Sequence, residues 1–242
     1  MTNYENITLK TWDEARDLLR QHYVRPSFDY LERAKQAKYP SDAFSLGQTL
    51  SKSWLIQATV TVMHLSEELD LASREADSPP TIAILGCWFG SLVDVWLDAY
   101  PCVERIYGLD MDPSAVLLSE EFNAHHVENN WKFKGVVANV ETLNTSKMMF
   151  ETGGELIQTQ PSIIINTSCE HMGTHWFDTA DGRQLIIMQT NDNPNLIGHV
   201  NTCSSISEMN DKYPLAEQLY CGALELPTYT RYMQIGYKDG RH

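Results

Sequence analysis

Thr81-Ile82-Ala83-Ile84-Leu85 is an unbroken apolar run that stops on Gly86, and it limits the architecture more than any other stretch of the chain. Such a run, with no polar alternation, reads as a strand covered on both faces, as in a parallel sheet flanked by helices. Ser162-Ile163-Ile164-Ile165-Asn166 repeats the pattern. Between the two, Leu92, Val95, Trp96 and Ala99 mark a helix that ends at Tyr100-Pro101. Residues 105–109 read as a strand closed by Asp110, and Pro113 opens a helix with Ala115, Leu118 and Phe122 on one face. Residues 132–138 and 184–189 supply two further strands. The last two apolar runs, 218–224 and 230–237, are joined by a connection too short for a crossover helix, so they pair antiparallel.

Ahead of this alternation, Leu46, Leu50, Trp54, Ala58, Val62 and Leu65 recur at helical spacing. Trp12, Ala15, Leu18 and Leu19 predict a shorter helix with Thr11 as its N-cap, and Ser78-Pro79-Pro80 closes the helical region. The expected architecture is α/β: a doubly wound, seven-stranded, mainly parallel sheet with a C-terminal antiparallel hairpin and an N-terminal helical cap. The cap spans 1–80 and the cofactor-binding domain 81–242.

Thirty-two acidic against 18 basic residues give a net charge of −14. That balance disfavours duplex nucleic acid and anionic membrane, and points to a small-molecule or polypeptide partner. No window is apolar enough for a membrane span, and residues 1–6 lack the pattern of a signal peptide, so a cytoplasmic location is expected. The five cysteines, Cys87, Cys102, Cys169, Cys203 and Cys221, are scattered and form no C-x-x-C pair, which suggests neither a disulfide framework nor a zinc ribbon.

In a doubly wound sheet, ligands bind beyond the carboxyl ends of the strands. Gly86-Cys87-Trp88-Phe89-Gly90 stands between a buried strand and a helix, where glycines let backbone approach a ligand closely. Gly108-Leu109-Asp110-Met111-Asp112 follows at the next strand end, where a carboxylate can accept both ribose hydroxyls of a nucleoside. Asp112 ahead of Pro113 is expected as a helix N-cap.

This order and spacing resemble the class I S-adenosylmethionine-dependent methyltransferases over roughly residues 81–237. The resemblance implies S-adenosyl-L-methionine as cofactor. It implies cofactor-binding roles for Gly86, Cys87, Trp88, Gly90, Asp110 and Met111, for Asn139 and Val140 at the adenine, and for Asn166 at the exit of the 162–166 strand. It also implies catalytic or acceptor-anchoring roles for Glu170 and His171. The chain departs from the family at Trp88, where the loop usually has a second glycine, and at Ile84, where an acidic residue usually precedes the loop.

Several readings stay open. Trp88 either offers its π face to a sulfonium or packs beneath the N-terminal helices. His171 and His175 share a face if helical, but no third metal ligand stands at useful spacing, so no metal is expected. The alternative for this pair is one structural histidine, with Trp176 and Phe177 filling the core. The amide-rich 189–194 segment either grips a polar substrate or is simply a loop. Arg25, Tyr23 and Tyr30 are candidate acceptor contacts from the cap, and the aromatic-rich terminal hairpin is a surface on which a second copy can pack. Besides methyl transfer, two alternatives remain: transfer of the cofactor's aminocarboxypropyl arm, and a non-catalytic protein that kept the fold.

Overall fold

The computed structural model describes residues 46–68, 79–100, 103–128 and 131–239. The expected helix around Trp12, its Thr11 cap and the candidates Tyr23, Arg25 and Tyr30 lie outside the described residues.

Strands β1 (Thr81–Leu85), β2 (Arg105–Asp110), β3 (Phe133–Val137), β6 (Ile163–Asn166), β7 (Leu185–Asn191), β8 (Glu217–Glu225) and β9 (Thr230–Tyr237) form one seven-stranded sheet in the order β3-β2-β1-β6-β7-β9-β8. The first five in that order run parallel, whereas β9 pairs antiparallel with both β7 and β8. The expected fold class is therefore the observed one. β1 has β2 on one side and β6 on the other, so the strand order reverses there and a crevice opens beyond the carboxyl ends of β1 and β6.

Alternation along the strands divides the core in two. Ile82, Ile84, Ile106, Ile163, Ile165 and Ile187 face one cluster, which helices α1 (Leu46–Glu68) and α2 (Val93–Ala99) complete with Trp54, Leu55 and Trp96. Ala83, Leu85, Leu109, Ile164, Ile186 and Met188 face the other, covered by Trp176, Phe177, Met209 and Tyr213. A period of two on strands covered from both sides produces this split, and it explains why the runs contain no polar residue. Helix α1 is thus part of the core of the sheet it covers. Trp54 donates through its indole N–H to the Tyr220 hydroxyl at 2.8 Å, joining the helix to β8.

Helix α3 (Pro113–Phe122) starts as expected, with Asp112 accepting from the Ser114 N–H at 2.9 Å and Pro113 in its first turn. It is followed by α4 (Ala124–Glu128), a one-turn α5 (His175–Asp178), and α6 (Ile206–Lys212), which Ser205 caps by accepting from the Glu208 N–H. Strands β4 (Met148–Thr152) and β5 (Glu155–Thr159) form a separate two-stranded hairpin that no expectation covered. Its signal was Gly153-Gly154, both at positive φ, between segments of alternating polarity.

Candidate functional site

The loop after β1 turns left-handed three times, at Gly86 (φ +64°), Trp88 (φ +53°) and Gly90 (φ +67°). Two of these are glycine, which accepts that conformation without strain; Trp88 adopts it at a typical cost of about 1–2 kcal/mol. Gly86 also lies against the β6 exit: a Cβ there would stand 3.2 Å from Met172 Cε and 3.3 Å from Ser168 Cβ. The loop is fastened to β2 by the Cys87 N–H, which donates to the Leu109 carbonyl at 2.9 Å. Burial pushes the Cys87 thiol well up, and the nearby Asp110 carboxyl adds to the shift.

Asp110 ends β2 beside this loop. Its Oδ2 accepts from the Trp88 N–H and its Oδ1 from the Asp112 N–H, each at 3.0 Å. Each oxygen therefore uses one acceptor site inside the chain and keeps capacity for another. Burial raises the carboxyl above its ordinary range, while the backbone N–H groups of Asp112, Trp88 and Met111 pull the other way.

Trp88 stacks on Phe89 with centroids 5.2 Å apart and joins a small cluster with Ala115, Leu118 and Phe122. It packs against α3 and not against α1, whose side chains belong to a different cluster. Of the N-terminal helices expected to cover it, only α1 is among the described residues, so the rest of that expectation, which falls on residues 1–45, lies outside them. Ile84 is buried in the core, facing the α1 and α2 cluster. Met111 is exposed, and Asn139 is exposed with its side-chain oxygen accepting from the Glu141 N–H. Val140 is buried beside them.

At the end of β6, Asn166 is fully buried and spends its side chain on the chain itself. Its Oδ1 accepts from the Ser168 N–H, and its Nδ2 lies 3.2 Å from Met172 Sδ. This shapes a turn leading into a short 3-10 segment, Cys169–His171. Glu170 points inward and is 2% exposed, whereas His171 is exposed. Neighbouring members of the expected pair thus face different surroundings. His175 starts α5, a separate turn, so His171 and His175 do not share one helix.

Glu170 is the centre of a buried polar cluster at the carboxyl ends of β6 and β7. Its Oε1 accepts from Asn191 Nδ2 at 2.7 Å and lies 3.4 Å from a guanidinium nitrogen of Arg231, both charged side chains being 3% exposed. Arg231 also donates to the Thr167 carbonyl at 2.9 Å. Gln189, fully buried, accepts from the Ser51 hydroxyl at 2.7 Å and donates to the Ser51 carbonyl, which seats the start of α1 over the end of β7. Next to Ser51, Lys52 donates to the Ser91 hydroxyl at 2.5 Å, beside the glycine loop. Burial, with Arg231 adding to it, lowers the Lys52 ammonium to about 7.

Sequence reading missed Ser51, Lys52 and Arg231, whereas Gln189 and Asn191 lie in the amide-rich 189–194 segment it had singled out. Arg231 had a local signal, since it is the one charged residue in the strand Thr230–Tyr237. Lys52 had little, because helical spacing alone does not say which polar residue faces a crevice. Downstream of β7, the 192–200 loop crosses the Glu170 turn: the Val200 and Asn201 N–H groups both donate to the Glu170 carbonyl. This loop exposes Leu196, Ile197 and Val200 to solvent.

No protein-family model and no curated protein matches the chain. Its fold does match solved structures. One is a magnesium protoporphyrin IX methyltransferase from Synechocystis PCC 6803 with bound SAH, at 12% identity and TM-score 0.51, covering 93% of this chain and 100% of that one. Another is a candidate sarcosine dimethylglycine methyltransferase from Galdieria sulphuraria, at 11% identity and TM-score 0.53, covering 87% and 98%. With the strand order, the antiparallel terminal pair, the loop after β1 and the acid after β2, the chain has the fold of the class I S-adenosylmethionine-dependent methyltransferases.

Proposed function

We propose that this protein is an S-adenosyl-L-methionine-dependent methyltransferase whose acceptor is a small molecule or a polypeptide. The observation that carries the reading is Asp110, held at the end of β2 with one acceptor site free on each oxygen, beside a loop that keeps three left-handed residues despite Trp88. The residues present fit the cofactor: a side chain at Gly86 would crowd the β6 exit, and Asp110 can receive two hydroxyl donors. A solved relative of the same fold holding SAH supports the same assignment.

In this reading Gly86, Cys87, Trp88 and Gly90 bring backbone to the cofactor, and Asp110 and Met111 flank its ribose. Asn139 and Val140 stand at its adenine, and Asn166 shapes the far wall. When bound, the cofactor supplies a methyl group on a sulfonium, a good leaving group. The chain's own contribution is to hold the acceptor in line and exclude water. Helix α1 closes the crevice from above through Ser51 and Gln189. Lys52, about half protonated near pH 7, can take up or give up a proton there. Glu170, tied to Arg231 and Asn191, acts by positioning the turn that carries His171. The acceptor then lies between His171, Lys52 and the 192–200 loop, whose exposed Leu196, Ile197 and Val200 suit a partner with an apolar part. The free thiols Cys87, Cys169, Cys203 and Cys221 support a reducing, cytoplasmic setting.

Calorimetry with S-adenosylmethionine and its demethylated product should show binding of both, and turnover with an acceptor should release the demethylated form. Release of methylthioadenosine would reassign the chemistry to aminocarboxypropyl transfer. No heat and no thermal shift with either form would leave a non-catalytic protein.

A further inference from the structure

Glu170, His171 and His199 each offer a ligand atom, and these atoms lie within 4.8 Å of one another. The three come from the turn after β6 and the loop after β7. They meet because the 192–200 loop is stitched across the turn by the bonds from Val200 and Asn201 to the Glu170 carbonyl.

Both histidines are oriented in the same way. His171 Nδ1 lies 3.1 Å from the Gly198 carbonyl, and His199 Nδ1 lies 2.6 Å from the Asn193 carbonyl. A carbonyl oxygen only accepts, so each Nδ1 carries the proton and each Nε2 keeps its lone pair. A ring nitrogen bonded to a backbone carbonyl, with the other nitrogen left basic, is the arrangement that orients histidine towards a metal. The rings themselves are perpendicular, with centroids 4.6 Å apart.

The carboxylate is the second, independent observation. Glu170 Oε1 is occupied by Asn191 and Arg231, but Oε2 is buried with no hydrogen-bond partner among the described residues. An orphaned carboxylate oxygen in a side chain 2% exposed carries a substantial desolvation cost, and a cation at that position removes it. Arg231 and Asn191 then serve as the outer partners that hold the carboxylate in place.

We propose that Glu170, His171 and His199 form a binding site for a divalent first-row transition ion. Two imidazoles and one carboxylate suit zinc, iron(II), manganese or cobalt better than calcium or magnesium, and three protein ligands leave coordination positions open on the exposed His171 side. Bonds of about 2.0–2.2 Å require the three ligand atoms, which lie within 4.8 Å of one another, to draw closer on binding. This proposal departs from the sequence expectation of no metal. The sought third ligand is His199, distant in sequence, and His175 takes no part.

The site rests on these side chains alone, so its test needs no cofactor. Chelator-stripped full-length protein is titrated with zinc and, separately, with cobalt(II), followed by calorimetry and visible absorption. One ion per chain is expected, with a cobalt spectrum of imidazole and carboxylate ligation. His199→Ala and His171→Ala should each weaken binding at least about tenfold while retaining the wild-type circular dichroism. A control is His126→Ala, because His125 and His126 both contact Asp94 Oδ1 and form the other candidate cluster. Undiminished affinity in His199→Ala, loss of the ion only in His126→Ala, or no saturable binding by the wild type would overturn the proposal. Binding of S-adenosylmethionine is read separately, so failure here leaves the methyltransferase reading standing.

Discussion

The Trp88 N–H donates to Asp110 Oδ2 at 3.0 Å, tying the loop after β1 to the end of the neighbouring strand β2. The bond uses backbone on one side and side chain on the other. The loop can therefore change its side chain at position 88 and keep its attachment to the acid.

Asp110→Ala removes that attachment together with the ribose acceptor proposed above. Cofactor affinity should fall by roughly 1.5–3 kcal/mol, the range for hydrogen bonds to a charged group. Asp110's raised carboxyl adds a pH signature: binding should weaken as the pH falls through its elevated range, because the protonated form accepts less well. Calorimetry across pH checks both, and unchanged affinity in a correctly folded Asp110→Ala protein refutes the assigned pocket.

Trp88 combines a strained backbone with a half-buried, stacked ring. Trp88→Ala loses the ring and keeps the left-handed strain, whereas Trp88→Gly loses both. The glycine variant should therefore be more stable than the alanine variant by about 1 kcal/mol in urea denaturation. Equal stabilities would show that the loop relaxes out of φ +53° once the indole is gone.

Lys52 makes stability depend on pH with a definite sign. Its folded-state value near 7 lies below the ordinary 10.5, so between those limits the unfolded chain binds more protons than the folded one. The destabilisation is complete below about 7 and fades as pH rises towards 10.5. The stability of the wild type relative to Lys52→Met should thus climb with pH over that window. A flat difference would mean that Lys52 is solvated in solution.

Arg231 and Glu170 form an ion pair 3% exposed on each side. Arg231→Met leaves the carboxylate buried beside Asn191 and should cost about 3–5 kcal/mol. The double variant Arg231→Met with Glu170→Gln removes both charges and should recover much of that loss. Additive effects in the double-mutant cycle would show that the two side chains do not interact.

Strand positions, their parallel order up to β7 and the closing antiparallel pair were legible in local pattern, because a strand covered on both faces has an uninterrupted apolar run. The β4–β5 hairpin was overlooked, although Gly153-Gly154 marked its turn. Gly86 and Asp110 were legible as well, since a strand end followed by glycine or by an acid has a fixed place in a doubly wound sheet. By itself, then, the sequence determined the sheet and where its crevice opens. Tertiary structure decided which polar residues meet near the carboxyl ends of the strands: Lys52, Gln189, Arg231 and His199 come from segments far apart in the chain. They meet only because α1 packs across the sheet, β9 returns beside β7, and the 192–200 loop is bonded to the Glu170 turn. Local periodicity records which residues are apolar, and contacts between distant polar residues leave no such period to read.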